Sequence, residues 1–391
     1  MITLQFLEPG PHIAGITPQQ AGERLKTALD VLPVDCLLLG WDLPVPLVEI
    51  CRKYSHRSGV KLYRWHPLLT GDGIIYPRKE WRTRNLKGKP LPGFRDLPEF
   101  TFVCPNNPEA RDAVMTRLSE LAQSGLYDGF FLDRMRFPSP ASDLIHALSC
   151  FCKHCHMAAA KKGLDLEDVR VFLEQSEGSL ILDTYFGSLM KGNPLADLLD
   201  FRQQTITEFI STAHDILRLS SLEVGLDCFS PSLTRMVGQD LEALSSLSDW
   251  TKLMIYGHAF GPATLPFEFA NLTRSLMSCE GLSEIEALRY LSTLSGFSFP
   301  DSLSALREVG LSSQDLAIEF CRGHKFVDQG ILLAGVELVE IPVVSELNAL
   351  NLEADLRAFK TTGVDGFALS WDLWHMPLER LSLVAQVWGA G

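Results

Sequence analysis

Short apolar runs recur along the chain, and most of them end at a charged or aromatic residue. The clearest run is residues 130–132, Phe-Phe-Leu, which lies between Gly129 and Asp133. A continuous apolar run of this length is typical of a strand that is buried on both faces, as in a parallel sheet. We therefore predict a strand here, with Asp133 at its carboxyl end.

Amphipathic helical patterns alternate with these runs. The clearest begins with an Asn-Pro pair at Asn107 and continues with apolar residues that include Val114 and Leu118. Such a start, followed by apolar residues at helical spacing, is typical of a capped helix that buries one face. We predict a helix here, and an additional short strand at residues 100–104 ahead of it.

Eight apolar runs have the character of buried strands. They comprise residues 2–7, 34–39, 60–63, 130–132, 223–226, 252–255, 331–336 and 364–369. Parallel strands joined by helices can close into a cylinder that leaves no exposed edge, so eight alternations favour a (β/α)8 (TIM) barrel of the α/β class. We predict that residues 1–391 form one elaborated barrel domain.

Three segments are longer than a minimal barrel requires. Residues 67–99 are rich in Gly and Pro and lack periodicity, which predicts a long loop after the third strand that forms a wall of the site. A cysteine-containing insertion follows the fourth strand. Residues 259–328 hold several helical patterns, which predict extra helices between the sixth and seventh strands.

The overall composition narrows the functional class. Hydrophobic residues make up 46% and charged residues 21% of the chain, as in ordinary globular proteins. The net charge of −13 repels phosphate backbones and anionic membranes, so we expect no nucleic-acid and no membrane partner. The first residues do not have the pattern of a signal peptide, which favours a soluble cytoplasmic protein.

The cysteines favour a reducing compartment. Nine is an odd number, and most of the cysteines lie in apolar segments where a thiol behaves as a small hydrophobe. The cysteines in apolar segments are Cys36, Cys51, Cys104, Cys228, Cys279 and Cys321.

Carboxylates and aromatic residues collect at the predicted strand ends. In a parallel barrel these positions converge on one face, where catalytic groups gather. Cleavage of a glycosidic bond needs one carboxyl group to protonate the leaving oxygen and a second to attack or to activate water. The catalytic candidates are Asp133, Asp227 and Glu337, and the substrate-binding candidates are Trp41, Asp42, Trp65, His66, Arg136, Tyr256, His258, Trp371 and Asp372.

Each candidate also has a purely structural interpretation. Asp133 could form an ion pair with Arg134 or Arg136, and Asp227 could cap the turn at residues 230–231. Glu337 could be an ordinary surface carboxylate. Polar loop contacts would account for Asp42, Asp372 and His66, and core packing would account for Trp371.

The insertion contains a separate signal, Cys150-x-Cys152-x-x-Cys155. Three thiols within six residues can converge on a tetrahedral zinc ion, with His154, His156 or a distant cysteine as the fourth ligand. Such a zinc ion would be structural. The spacing differs from the paired CxxC motifs of common zinc sites, which argues against a metal. The alternative is a set of reduced thiols without metal.

The region around Asp133 has a distinctive set of motifs: Asn-Pro-Glu-Ala-Arg at residues 107–111, Tyr-Asp-Gly at 127–129, Asp133 itself, and Arg-Phe-Pro at 136–138. With these motifs the chain resembles the poorly characterised bacterial glycoside hydrolase-like (β/α)8 barrels. The resemblance implies a glycosidase-type barrel. In α-amylase-like and α-galactosidase-like relatives an Asp after the fourth strand is the nucleophile, which implies this role for Asp133, although Phe131 stands where the α-amylase pattern has Arg.

The sequence thus predicts a glycoside hydrolase that needs no cofactor for catalysis and acts on an oligosaccharide or glycoside. Asp133 is predicted to be the nucleophile or base, and Glu337 the acid, with Asp227 as the second choice for that role. Two alternatives stay open. One is a barrel that binds saccharide without cleaving it, and the other is a metal-dependent hydrolase or lyase that uses His66 and His258.

Overall fold

A closed barrel of eight parallel strands, paired in chain order, forms the centre of the molecule in the computed structural model. The structure describes residues 1–187, 192–327, 330–345 and 347–389. The strands are β1 (Ile2–Phe6), β2 (Cys36–Leu39), β3 (Lys61–Pro67), β4 (Gly129–Asp133), β5 (Glu223–Cys228), β6 (Trp250–Leu253), β7 (Ile331–Glu337) and β8 (Gly366–Ser370). The predicted (β/α)8 fold is confirmed.

Helices surround the barrel. They are α1 (Pro18–Val31), α2 (Val45–Arg57), α3 (Pro108–Ala122), α4 (Leu144–Ala147), α5 (Lys153–Lys161), α6 (Leu166–Gln175), α7 (Gly178–Phe186), α8 (Pro194–Leu219), α9 (Leu241–Ser245), α10 (Leu265–Glu280), α11 (Glu284–Ser295), α12 (Leu303–Val309), α13 (Ser313–His324), α14 (Ala349–Lys360) and α15 (Leu378–Gly389). Helices α4 to α8 lie between β4 and β5, and α10 to α13 lie between β6 and β7. In the described ranges, no helix combines the length and the apolar character that a membrane span requires.

Alternation along the strands separates two apolar layers. Tyr63, Trp65 and Phe131 belong to a small cluster inside the barrel, where the Phe131 ring stacks on Trp250 with a centroid distance of 5.2 Å. The intervening residues, such as Phe130, belong to the large layer between strands and helices. Because side chains alternate across a strand, Asp133 at the end of β4 lies on the interior side with Phe131.

The helix α3 forms for the reasons that its sequence indicates. The Asn107 side chain accepts a hydrogen bond from the Ala110 amide at 3.2 Å, which caps the first turn. Val114 and Leu118 are buried on its inner face. The helix therefore fixes the chain just before β4.

The segment between β3 and α3, residues 68–107, contains two short 3-10 turns and no β-strand or α-helix. The predicted strand at residues 100–104 is wrong. Val103 makes only an isolated bridge with Arg82, and Phe100 ends one of the 3-10 turns. Phe102, Val103 and Cys104 are buried by loop packing, without the ladder of hydrogen bonds that defines a strand.

Candidate active site

A cavity of about 220 Å³ lies at the carboxyl end of the barrel. Residues at the ends of six strands and from three loops contribute to its wall. The lining residues are Glu8, Trp65, Phe100, Asp133, Arg134, Arg136, Asp227, Met254, Tyr256, Gly261, Pro262, Ala263, Ile341, Val344 and Trp371. Its volume lies just below the range of roughly 300–1,000 Å³ that is typical of ligand pockets, which suits one small ring.

Asp133 lies in this cavity wall with both carboxylate oxygens hydrogen-bonded. Oδ2 accepts a hydrogen bond from Trp65 Nε1 at 2.8 Å, and Oδ1 accepts one from the Arg134 backbone amide. The Arg134 guanidinium Nε lies 3.9 Å from Oδ2. The two donors and the guanidinium therefore fix the orientation of the Asp133 carboxyl group at the cavity wall.

Asp227 lies on β5, at the position next to that of Asp133 on β4. Leu132 of β4 pairs with Leu226 of β5, so Asp133 and Asp227 are the next residues of two strands that run about 4.8 Å apart. The Asp227 Oδ2 atom lies 3.1 Å from Lys252 Nζ. Its other oxygen, Oδ1, has no hydrogen-bond partner among the described residues.

The two aspartates have different electrostatic environments. Burial raises the pKa of Asp227 to about 7; the charge of Asp133 adds to this rise and Lys252 opposes it. Lys252 is itself fully buried and also contacts the Gln5 side chain at 3.2 Å. Asp227 can therefore carry a proton near neutral pH while Asp133 is held by donors.

A third carboxyl group, Glu8, lines the same cavity. Its Oε1 atom lies 3.7 Å from the Arg134 guanidinium, which thus lies between Glu8 and Asp133. Burial raises the pKa of Glu8 to about 7, against the opposing charge of Arg134. The sequence analysis assigned no role in the site to Glu8 or Arg134, although Glu8 directly follows the first predicted strand and belongs with the other residues at strand ends.

Aromatic rings form much of the remaining wall. Tyr256 and Trp371 meet edge to face at a centroid distance of 5.2 Å, and the Tyr256 hydroxyl lies 3.0 Å from Ser370 Oγ. Trp65 and Phe100 line the cavity on other sides. Such rings offer flat apolar faces to a ligand while the carboxyl groups supply polar contacts.

Arg136 also lines the cavity but does not pair with Asp133 as the sequence suggested. Its guanidinium lies between the rings of Phe102 and Phe229, 4.7 Å from each centroid, and donates to the Phe137 carbonyl at 3.1 Å. Burial lowers its pKa to about 10, with the charges of Glu268 and the two aspartates acting in the opposite direction.

Glu337 lies outside the set of residues that line the cavity. Its Oε1 atom accepts hydrogen bonds from the backbone amides of His258 at 2.7 Å and Ala259 at 3.2 Å. The carboxyl group is buried, and burial raises its pKa. In this position Glu337 fixes the loop that follows β6.

Three other candidates at strand ends also lie outside the cavity lining. Trp41 packs edge to face on Trp65 at 5.2 Å, so it supports the wall from behind. Asp42 is exposed. Asp372 accepts hydrogen bonds from the backbone amides of Leu7 at 2.8 Å and Trp374 at 3.0 Å, which is the loop contact that was the structural alternative for this residue.

The two histidines of the metal hypothesis point into other parts of the molecule. His66 alternates with the inward Trp65 and packs against Phe130, and burial lowers its pKa to about 3. His258 Nε2 lies 3.0 Å from Asp355 of α14. Burial alone would lower the His258 pKa, but the Asp355 contact raises it to about 9. Neither side chain lines the cavity.

The cysteine motif forms a four-cysteine cluster with Cys104, the last apolar residue of the segment after β3. The cluster comprises Cys104, Cys150, Cys152 and Cys155, whose sulfur atoms all lie within 4.8 Å of one another. All four are buried and free of disulfides. The assignment of Cys104 as a simple core thiol is thus incomplete, and Cys279 and Cys321 are exposed instead of buried.

Comparison with known proteins identifies the fold. No protein-family model and no curated protein matches the chain. The glycoside hydrolase domain of PgaB (BpsB) from Bordetella bronchiseptica is similar in structure, with a TM-score of 0.56 and 14% sequence identity over 98% of both chains.

Two larger glycosidases contain a similar barrel. The β-galactosidase from Marinomonas ef1 gives a TM-score of 0.56 at 11% identity, over 98% of this chain and 59% of that chain. The α-L-fucosidase isoenzyme 2 from Paenibacillus thiaminolyticus gives 0.54 at 12% identity, over 100% of this chain and 48% of that chain. At these identities the likeness shows the fold, and the chain is a (β/α)8 barrel of the kind that glycoside hydrolases share.

Proposed function

We propose that this protein is a glycoside hydrolase in which Asp133 and Asp227 form the catalytic pair. The observation that carries the proposal is their position at adjacent points of β4 and β5, in the wall of one cavity. Two carboxyl groups that flank one bond are what glycosidic cleavage requires. The glycosidase neighbours support the class of reaction.

The environments of the two groups assign their roles. Asp133, which Trp65 and the Arg134 amide orient as a carboxylate, attacks the anomeric carbon or activates water. Asp227, with its raised pKa of about 7, donates a proton to the leaving oxygen as the C–O bond breaks. Water then supplies the hydroxyl group at the anomeric carbon, and its remaining proton returns to Asp227.

The spacing of the pair favours retention of configuration. Neighbouring positions on adjacent strands suit the separation of about 5–5.5 Å that retaining enzymes use, rather than the roughly 6.5–9.5 Å of inverting enzymes. Asp133 would then be a nucleophile that forms a covalent glycosyl intermediate. NMR of the first-formed product would show the anomer of the substrate, and the opposite anomer would contradict this assignment.

The cavity wall suits a sugar ring. Trp65, Tyr256 and Trp371 offer aromatic faces on which the C–H faces of a pyranose ring can stack, and Glu8 and Arg136 offer polar contacts to hydroxyl groups. We assign these five residues to substrate binding. A short oligosaccharide or a simple glycoside is the proposed substrate class.

The test begins with a screen of the purified protein against a library of chromogenic glycosides and oligosaccharides. On any substrate found, Asp133→Asn and Asp227→Asn should each reduce kcat about 10²–10⁴-fold. Asp112→Asn, which removes an exposed carboxylate on α3, is the matched control and should have no effect. Circular dichroism establishes that each variant is folded.

Two outcomes would contradict the proposal. Turnover close to that of the wild type in either aspartate variant would remove that residue from the mechanism. Saccharide binding without turnover by the wild-type protein would instead support the alternative of a non-catalytic binding barrel.

We also propose that the four-cysteine cluster binds a structural zinc ion as four thiolates. The Cys104 sulfur lies 3.5 Å from that of Cys152 and 3.4 Å from that of Cys155. Four sulfurs at about 2.3 Å from a tetrahedral zinc ion lie about 3.8 Å apart, so a small outward movement completes the site. A disulfide, at about 2.05 Å, would need a much shorter separation.

Hydrogen bonds to the sulfur atoms support this proposal. The Arg84 amide donates to Cys150 at 3.1 Å, the Asn106 side chain donates to Cys155 at 3.4 Å, and the Cys155 amide donates to Cys152 at 3.4 Å. Such donors orient and stabilise thiolate ligands. Elemental analysis should find one zinc per chain, which Cys104→Ser should remove and the buried-thiol control Cys51→Ser should retain.

A further inference from the structure

Two short 3-10 turns meet where the barrel closes. At this junction β1 pairs with β8, so the first and last strands of the chain lie side by side. The turn Pro11–Gly15 follows β1, and the turn Leu373–His375 follows β8. Both turns therefore lie at the carboxyl face of the barrel, where the loops after parallel strands gather.

Two histidines and one aspartate form a cluster between these turns. One ligand atom from each of His12, Asp372 and His375 lies within 4.8 Å of those of the other two. His12 Nε2 lies 3.1 Å from Asp372 Oδ2, and the two imidazole rings meet edge to face at a centroid distance of 4.9 Å. Among the described residues, only the four-cysteine cluster brings such ligand groups together in a comparable way.

The backbone of the second turn places Asp372 and His375 on the same side. A 3-10 helix has three residues per turn, so side chains at positions i and i+3 lie above each other. Asp372 caps this turn, and its Oδ1 atom accepts hydrogen bonds from the amides of Leu7 at 2.8 Å and Trp374 at 3.0 Å. These two donors fix the carboxylate and leave Oδ2 next to His12.

An arginine of α1 holds the same turn from its other side. The Arg24 guanidinium donates to the Leu373 carbonyl at 3.1 and 3.0 Å, and also to the Met376 carbonyl. Its hydrogen-bond acceptors are thus backbone carbonyls and not the carboxylate of Asp372. The turn is therefore anchored while Asp372 Oδ2 stays available to a ligand.

The cluster is open to solvent on its histidine side. The His12 side chain is 27% exposed, whereas that of Asp372 is 3% exposed. His375 is half-buried, and within the described residues no side-chain hydrogen bond restrains its ring. An ion can therefore enter from water and keep a water molecule as an additional ligand.

We propose that His12, Asp372 and His375 bind a zinc ion. Two imidazole nitrogens, one carboxylate oxygen and a water molecule form the open, tetrahedral type of zinc site. Ligand atoms at about 2.0–2.1 Å from a tetrahedral ion lie about 3.3–3.4 Å apart, which is close to the separation of His12 and Asp372. The His375 ring has to approach by roughly 1.5 Å at most.

The ion would join two ends of the chain. His12 and Asp372 are 360 positions apart in the sequence, so a shared metal closes almost the whole chain into one loop. Glu8 and Trp371, from the same two loops, line the cavity. Zinc would therefore stabilise the closed barrel and hold this part of the cavity wall in place.

Zinc content per chain tests the site on the full-length protein, by equilibrium dialysis followed by elemental analysis. The wild type should bind one zinc ion more than His375→Ala, which removes one ligand and leaves the His12–Asp372 pair. Asp372→Asn keeps an oxygen acceptor for the two amides and should lose the same ion. Both variants keep all four cysteines of the four-cysteine cluster, so the difference does not depend on that cluster. Circular dichroism establishes that each variant is folded.

His214→Ala is the matched control. His214 Nδ1 lies 3.2 Å from Asp215 Oδ1, but this pair belongs to neither of the ligand clusters found among the described residues. The control should therefore retain the zinc content of the wild type. A histidine that only forms an ion pair with aspartate is thereby distinguished from one that binds metal.

Cobalt substitution and thermal unfolding give two further measurements. Cobalt on nitrogen and oxygen ligands absorbs in the visible without the sulfur-to-metal charge-transfer band of a thiolate site. The difference spectrum between wild type and His375→Ala should therefore lack that band. Free zinc at 100 times its dissociation constant should raise the Tm of the wild type by about 3 °C more than that of the variant.

Three results would overturn the proposal. Equal zinc content in the wild type, His375→Ala and Asp372→Asn is the first. The second is the loss of the same ion from His214→Ala. The third is a cobalt difference spectrum with thiolate charge transfer, which would assign the lost ion to the cysteines.

Discussion

The substitution Lys252→Met tests the assignment of Asp227 as the acid. Lys252 Nζ lies 3.1 Å from Asp227 Oδ2, and both side chains are buried. Two unit charges at this distance attract each other by about 5 kcal/mol at an effective dielectric constant of about 20. Because a charge partner of this kind typically shifts a carboxyl pKa by about 1–3 units, its removal should raise the Asp227 pKa by a similar amount from its present value of about 7.

Infrared difference spectroscopy can follow this pKa without a substrate. The protonated carboxyl band is recorded as the pH is raised, and Asp227→Asn identifies which part of the band belongs to Asp227. On an active substrate, the alkaline limb of kcat/KM should move upward by the same amount, because the acid must remain protonated to act. The wild-type enzyme should lose activity as pH rises through about 7 for the same reason.

Lys61→Met provides the control for this experiment. Lys61 pairs with Glu223 at the opposite end of the strands and is largely exposed, so both the band and the pH limb should stay where they are. A Lys252→Met protein whose Asp227 midpoint stays at its wild-type position, or falls, would refute the reasoning that Lys252 holds this pKa down.

Three further predictions concern neighbouring features. Trp65→Phe removes the donor to Asp133 and should lower kcat about 10–100-fold in steady-state kinetics, since hydrogen bonds to charged groups contribute about 1.5–3 kcal/mol; an unchanged kcat would contradict this role. Glu337→Gln keeps an acceptor for the His258 amide and should retain most activity, whereas a loss of 10²-fold or more would restore Glu337 as the acid. Asn107→Ala removes the cap of α3 and should lower the free energy of unfolding in urea by about 1 kcal/mol, and an unchanged midpoint would count against the cap.

The strand pattern was sufficient to predict the barrel and to place Asp133 and Asp227 on one face. Both follow short apolar runs, and closure of the barrel brings the carboxyl ends of these strands to the same face. The distinction between His66 and Trp65 was also available from the sequence, because neighbouring residues of a strand point to opposite sides. Trp65 lines the cavity and His66 packs outside the barrel.

The role of Glu337 could not be predicted from local pattern. Like Asp227, it lies at the carboxyl end of a buried strand, but the loop after β6 brings the His258 and Ala259 amides within reach of its carboxylate. The place of Cys104 in the four-cysteine cluster could not be predicted for a similar reason. An apolar neighbourhood is the same signal for a core thiol and for a buried ligand, and only the fold brings it beside the Cys150 motif.

The register between β4 and β5 has a consequence for protein engineering. Five helices, α4 to α8, separate these strands along the chain, yet the four paired positions of β4 and β5, which end at Leu132 and Leu226, bring the two aspartates side by side. Changes to exposed parts of this segment therefore leave the spacing of Asp133 and Asp227 intact as long as the two strands remain paired and α8 keeps its buried face on the barrel. The segment between β4 and β5 is therefore a suitable place to engineer a new substrate specificity.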